Sequence, residues 1–371
     1  MSDPSIQTPT LVVKLGTTTL TGGTRRLSRP HMVDIVRQIA ALRADGLRVV
    51  VVSFGAIAAG REVLNVPAMP NHLPAKQMLS AVGQSYLMQV YRTLFDLYSV
   101  PIAQVLLTHD DLSHRTRYLN ARATLNTLLD YGIVPIVNEN DTVAVDEIKV
   151  GDNDNLSALI AVLLSATSLY LLTDQDGLYD RDPRTHAGAR LLEQVAQIDD
   201  TIEALAGKSG SGLGVGGMLT KIQAARLATR SGTQTVIACG TAPDVLLRLA
   251  RGERLGTTFA PAVGQIEGRK RWLLAERPQG TLRIDQGAAH VLLEQGASLL
   301  PIGVRAVKGR FERGAVVRVV GEDDRVLGQG LVNYSRDELE RLRGHHSPEI
   351  TKILGYTYGD EAIHRDNLVL V

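Results

Sequence analysis

The chain predicts an α/β protein: a mostly parallel, open sheet sandwiched by helices, followed by a small β-barrel-like region. Three observations carry this. Six near-continuous apolar runs of strand length alternate with stretches of amphipathic, helix-forming composition up to about Gly256, the pattern of a parallel sheet covered on both faces. Beyond that point the pattern turns to short β-rich pieces with glycine turns, as in a small barrel. Polar or glycine-bearing motifs directly follow four of the six apolar runs, at the carboxyl ends of strands, where open α/β sheets hold their ligands.

In chain order, strands are expected at Leu11–Lys14, Leu47–Ser53, Ile102–Leu107, Ile133–Asn138, Ser168–Thr173 and Thr235–Ala238, and helices at Pro30–Ala44, Ala75–Tyr98, Leu112–Asp130, Leu156–Leu164 and Met218–Thr229. The segment 262–280, with the basic cluster Arg269-Lys270-Arg271-Trp272, reads as a linker between a first domain at 1–261 and a second at 281–371. The second domain is expected to carry strands at Thr281–Ile284, Gly303–Val307, Ala315–Val320 and Val326–Val332. From Ala262 to Val320 ten Lys/Arg stand against five Asp/Glu. A solvated basic face is the ordinary reading of that excess; an RNA-binding face is the sharper one.

Bulk properties narrow the classes. A chain of 371 residues is long enough for one large core and a smaller domain. A net charge of +1 gives no global bias toward nucleic acid or membrane. The single cysteine, Cys239, cannot form an intrachain disulfide and fits a reducing compartment. The first ten residues are polar, without a hydrophobic signal core, and no apolar run reaches the length of a membrane span. A cytoplasmic protein with no membrane partner is the expectation.

The chemistry concentrates in a few motifs. Gly207–Gly217 (GKSGSGLGVGG) has six glycines in eleven residues and runs into the helix-forming segment that holds Lys221. Glycines turn consecutive N–H groups toward one ligand, the helix start adds its positive end, and the lysine adds a mobile charge, which suits a polyphosphate. A flexible Gly/Ser surface loop is the bland reading. Lys14 closes an apolar β-run before Gly16-Thr17-Thr18; a lysine there is costly unless an anion meets it, although a strand-end lysine can also reach water. Neither glycine region matches the Walker or dinucleotide-binding pattern. Asn138-Glu139-Asn140-Asp141 and Gly151-Asp152-Asn153-Asp154-Asn155 are short clusters of acids and amides. They lack calcium-loop spacing, and Asx turns or a cap for the helix near Leu156 account for part of them. Opposite two lysine-glycine elements, they fit an amine-bearing substrate beside a phosphate donor. The chain has no evident Ser-His-Asp order or His/Cys metal cluster, which matters little if the nucleophile is already an anion.

Taken as an ordered set, Val12-Val13-Lys14-Leu15-Gly16-Thr17, Gly55-Ala56-Ile57-Ala58-Ala59-Gly60, Ala81-Val82-Gly83-Gln84, Val137 through Asp141, Gly151 through Ala158, Leu172-Thr173-Asp174 and Gly216-Gly217-Met218 with Thr220-Lys221 resemble the glutamate 5-kinases of the amino-acid kinase family. Ser298 through Gly303, Gly344 through Ser347 and His364-Arg365-Asp366 resemble the C-terminal PUA domain of their long bacterial form. The resemblance implies the amino-acid kinase fold and ATP-dependent phosphorylation of the γ-carboxylate of L-glutamate, the first step of proline synthesis, with Mg²⁺. It implies catalytic roles for Lys14 and Lys221, held in place by Asp154. Glutamate would meet Asn138, Asp141, Asn153 and the loop at Phe54 and Gly55, and ATP would meet Lys14, Thr173, Asp174, Val215, Gly216, Gly217, Met218, Leu219, Thr220 and Lys221. No protein metal ligand is assigned. A homo-oligomer, dimer or tetramer, is implied, with proline as a feedback inhibitor; RNA is not an expected partner.

Three positions depart from the family pattern. Phe54 stands where a small hydroxyl residue is usual, and Val215 and Leu219 stand where Thr and Ser are common. Loss of one neutral hydrogen bond costs on the order of 1 kcal/mol, whereas a ring in a substrate loop is a steric matter. A low-activity or inactive kinase-like regulator, and an RNA-binding protein acting through the PUA-like domain, are the alternatives the sequence leaves open, and acetylglutamate, carbamate, aspartate and uridylate are the competing substrates within the family.

Overall fold

The computed structural model describes residues 8–66, 72–144, 153–207, 217–262 and 277–370. They fall into two compact units, one comprising the described residues up to 113 and 120–262, the other 114–119 and 277–370.

In the first unit the six expected strands all form: β1 (Thr10–Leu15), β2 (Arg48–Ser53), β3 (Ile102–Leu107), β4 (Val134–Glu139), β5 (Ser168–Thr173) and β7 (Gln234–Cys239). Two short strands join them, β6 (Gln194–Val195) and β8 (Thr257–Phe259), in the order β3-β4-β2-β1-β5-β7-β8-β6. Thr257–Phe259 corrects the expectation that the first pattern ends near Gly256. All pairings are parallel except β7 with β8. Every residue of β1 and β4 is buried, which is why these strands lack the alternation of a half-exposed sheet.

Helices cover the sheet. Leu11, Val13 and Leu15 of β1 share a core cluster with Met32, Ile35, Val36, Ile39 and Leu42 of α2 (Arg29–Ala44), a helical stripe at 3.6-residue spacing that follows a five-residue helix, α1 (Thr17–Thr21). Two helices differ from expectation. Ala56–Leu64, too rich in alanine and glycine to stand out, forms α3 and packs on α4 (Leu73–Asp96). The expected helix 112–130 is divided into α5 (His109–Ser113) and α6 (Arg115–Asp130).

The α3–α4 contact is made backbone to backbone. A Cβ on Gly83 would lie 1.8 Å from the Ala56 carbonyl oxygen, and one on Gly60 would lie 2.0 Å from that of Leu79. No real Cβ tolerates either approach, so these glycines are required by the separation of the two helices.

The second unit is a five-stranded sheet in the order β10-β9-β11-β12-β13, built from β9 (Gly280–Ile284), β10 (Val304–Gly309), β11 (Val316–Val320), β12 (Val326–Leu331) and β13 (Leu368–Leu370). Gly280, expected in the linker, opens β9, and most of that linker (263–276) lies outside the described residues. Leu282, Ile284, Val317, Val319 and Leu327 form its core with Leu292, Leu339 and Leu342 from two helices that the sequence pattern did not indicate. Among the described residues no helix is long and apolar enough to cross a membrane.

Candidate active site

The strand order β4-β2-β1-β5 brings four of the polar segments side by side at the carboxyl edge of the first sheet. Leu15 of β1 is in register with Ser53 of β2 and Leu172 of β5, so the loops starting at Gly16, Phe54, Asn140 and Asp174 leave the sheet as neighbours. This is the arrangement in which an open α/β sheet builds its ligand crevice.

At its centre lies a buried ion triad. Lys14 leaves β1 on the opposite face from Val13 and Leu15, and its Nζ lies 2.6 Å from Asp154 Oδ1. Lys221, in the first turn of α9 (Met218–Arg230), the helix that follows α8 (Asp200–Gly207), donates to Asp154 Oδ2 at 3.2 Å, and the Thr220 hydroxyl donates to the same oxygen at 2.7 Å. Asp154 sits in the first turn of α7 (Asn153–Leu164), three residues earlier than the expected start at Leu156. Its carboxylate therefore serves the lysines, and the helix's positive end favours its charge. All three side chains are buried, Asp154 at 2 % exposure. Burial alone would raise the Asp154 pKa, but the Lys14 and Lys221 ammoniums outweigh it and hold the carboxyl at about 2. Two ammoniums gathered on one carboxylate in a poorly hydrated place concentrate positive charge at the strand edge, an arrangement suited to an incoming anion.

Beside the triad is a cluster of amides and one acid. Asn153 Nδ2 donates to Asn138 Oδ1 at 3.4 Å, and Asn138 Nδ2 donates to Gln84 Oε1 at 2.8 Å. Asn138 and Asn153 are 2 % and 5 % exposed. Asp141, in the loop after β4, accepts from the Ser80 hydroxyl. Burial raises the Asp141 pKa, with the Ser80 donor opposing the shift. Gln77 Nε2 donates to the Ala144 carbonyl at 3.3 Å. Thus Gln77, Ser80 and Gln84, at i, i+3 and i+7 on α4, hold the end of β4 at Asn138 and the loop after it from one helix face. The sequence reading assigned none of the three a role, because polar residues on a long helix ordinarily mark its solvated side. Their spacing along one face of the helix was the available signal.

Phe54 follows β2 directly, its N–H donating to the Leu15 carbonyl at 3.1 Å. Its ring centroid is 5.0 Å from Lys14 Nζ, which places the ring at the triad and not in the hydrophobic core. Gly55 then adopts φ 102°, the left-handed region where glycine is favoured, and opens α3.

Among the residues expected to meet ATP, Thr173 is buried and donates to Asp174 Oδ1 at 3.0 Å, while Asp174 is exposed. Gly217 precedes α9. Met218 is buried and Leu219 is exposed. Their side chains are therefore not gathered on one surface, and a ligand meeting this turn meets backbone, Thr220 and Lys221. Val215, Gly216 and most of the glycine-rich run lie outside the described residues, as do Gly151 and Asp152.

Comparison with known proteins agrees with this geometry. Residues 9–239 match the amino acid kinase family, and residues 280–354 match the PUA domain. The chain is 54% identical to the glutamate 5-kinase of Deinococcus radiodurans over 361 residues, covering 97% of this chain and 99% of that protein. It is 52% identical to the glutamate 5-kinase of Pasteurella multocida over 362 residues, covering 98% and 99%. With a family match over more than half its length and relatives of this identity along nearly all of it, the chain belongs to the glutamate 5-kinases of the amino acid kinase family.

Proposed function

We infer that the chain transfers the γ-phosphoryl group of ATP to the γ-carboxylate of L-glutamate, giving L-glutamyl 5-phosphate for proline biosynthesis. The observation that carries the reading is the Lys14–Asp154–Lys221 triad at the carboxyl edge of the sheet. A carboxylate with an ordinary pKa near ~4.3 is ionised at neutral pH, so the nucleophile needs no general base. One γ-carboxylate oxygen bonds to the γ-phosphorus as the bond to the β,γ-bridging oxygen breaks, and ADP leaves with that electron pair. What the protein must supply is alignment and neutralisation of the transferring group's charge. Lys14 and Lys221 are assigned that neutralisation, and Asp154 keeps their ammoniums together against mutual repulsion. Asn138, Asp141 and Asn153 are assigned to the glutamate ammonium and carboxylate, and Thr173, Asp174 and the turn at Gly217–Lys221 to the nucleotide.

Magnesium is proposed to enter with the nucleotide as MgATP. Among the described residues no cluster of three or more His, Cys, Asp or Glu side chains is placed to hold a metal, and both Asp154 oxygens already face cations. Coordination by the phosphate oxygens themselves fits that donor set. A cytoplasmic homo-oligomer restrained by proline is proposed with it, on the resemblance of the sequence motifs to the glutamate 5-kinases.

A coupled ADP-release assay with hydroxylamine trapping of the acyl phosphate tests the function. Glutamate is expected to give hydroxamate, with acetylglutamate, aspartate, carbamate and uridylate turning over far more slowly. Comparable turnover with another acceptor overturns the assignment.

Phe54 yields a separate prediction. The ring presents apolar bulk beside Lys14, where a small hydroxyl would leave room and a hydrogen-bonding partner for the substrate. Phe54→Ser is expected to lower the KM for glutamate by roughly tenfold, equivalent to about 1.4 kcal/mol, with little change in the KM for ATP. A glutamate KM unchanged from wild type would remove Phe54 from the substrate site.

A further inference from the structure

The amide series Asn153–Asn138–Gln84 has two open ends. Asn153 Oδ1 is buried and accepts no hydrogen bond, and Gln84 Nε2 is buried and donates none. Three carboxamides bonded head to tail must end in one donor and one acceptor, whichever way the series runs. An acceptor at one end and a donor at the other complement a zwitterion, whose ammonium donates and whose carboxylate accepts. A native interior rarely strands both kinds of atom in one cluster unless a ligand or ordered water completes them.

We propose that Gln84 is a substrate-binding residue: its Nε2 donates to the α-carboxylate of glutamate while Asn153 Oδ1 accepts from the α-ammonium. This rests on the glutamate placement given above. The order of the series selects the carboxylate. Asn153 adjoins Asp154, which gathers the lysines at the phosphoryl centre, whereas Gln84 lies two amides further on, across β4 and on α4. The γ-carboxylate belongs at the lysines, so the carboxylate within reach of Gln84 is the α one. Gln84 then acts as a length gauge, because aspartate, one methylene shorter, cannot satisfy Gln84 and present its far carboxylate to the lysines together.

The competing explanation is that Gln84 only orients Asn138 through its accepting Oε1. Gln84→Glu separates the two, because it keeps an acceptor for Asn138 Nδ2 and removes the Nε2 donor. The expected result is a rise of at least tenfold in the glutamate KM, a much smaller change in kcat, and an unchanged KM for ATP. An unchanged glutamate KM overturns the proposal.

Gln84→Met supplies an independent measurement, in a substrate–variant cycle with glutamate and with its α-amide, isoglutamine. If Nε2 touches the α-carboxylate, the penalty in kcat/KM from Gln84→Met shrinks severalfold with isoglutamine. If Gln84 merely positions Asn138, the penalty is the same for both substrates and the proposal fails. Asn153→Ala keeps the underlying site reading distinguishable: it should raise the glutamate KM in its own right. A wild-type glutamate KM in Asn153→Ala would instead overturn the placement of glutamate on which the Gln84 role rests.

Discussion

Asp154→Ala is expected to destabilise the protein by about 3–5 kcal/mol and to lower kcat by about a thousandfold or more. The carboxylate is the shared counter-ion of two lysines that are themselves buried. Deleting it leaves two like charges close together in a poorly hydrated interior, one of the costliest defects a core can carry. Chemical denaturation and steady-state kinetics read the two effects separately.

Asp154→Asn adds a pH signature. The folded pKa, about 2, lies below the ordinary 3.8, so the carboxylate's contribution is fully present above the ordinary value and is lost as pH falls through about 2. That contribution is on the order of 2 kcal/mol. The stability gap between wild type and Asp154→Asn should therefore be wide at pH 5 to 7 and narrow toward pH 2. A gap that does not change with pH would mean that the charge of Asp154 is not what stabilises the triad.

Lys14→Ala and Lys221→Ala should each lower kcat by at least about a hundredfold while the protein stays folded. Each removes a charge that the proposed function assigns to the transferring phosphoryl group, and each leaves Asp154 one lysine partner, so the interior defect is milder than in Asp154→Ala. The contrast is part of the test: the anion's loss should be felt in both stability and rate, a lysine's mainly in rate. Near-wild-type kcat in either lysine variant would withdraw that residue from catalysis.

The fold was legible where hydrophobic pattern alone decides structure. Ile102–Leu107 and Ser168–Thr173 are read to the residue because a short apolar run between turn-forming residues has few alternatives. The pattern failed where packing is made by absence. Ala56–Leu64 becomes a helix because small residues let it lie against α4, and small residues carry almost no periodic signal. Strands of two and three residues, such as β6 and β8, are too short to show a period at all. At the site, Lys14 stood out as a charge closing an apolar run and Lys221 as the cation after a glycine-rich run, whereas Asp154 lay among acids and amides and took its role only from the family resemblance. Ser80 and Gln84 did not stand out, since what they do depends on Asp141 and Asn138 meeting them from 61 and 54 residues away along the chain.

The glycine contact between α3 and α4 reaches beyond packing. α3 starts from the Phe54–Gly55 loop, and α4 carries the residues that hold Asn138 through Ala144. The approach of the two helices that carry those segments thus depends on two missing methyl groups, at Gly60 and Gly83. Divergence toward a bulkier acyl acceptor cannot proceed there by gradual drift, because the smallest available change inserts a whole carbon where the clearance is below van der Waals contact. The route left open to a lineage changing its substrate is to exchange side chains in the loops, such as Phe54 beside Lys14, while the two helices stay where the glycines put them.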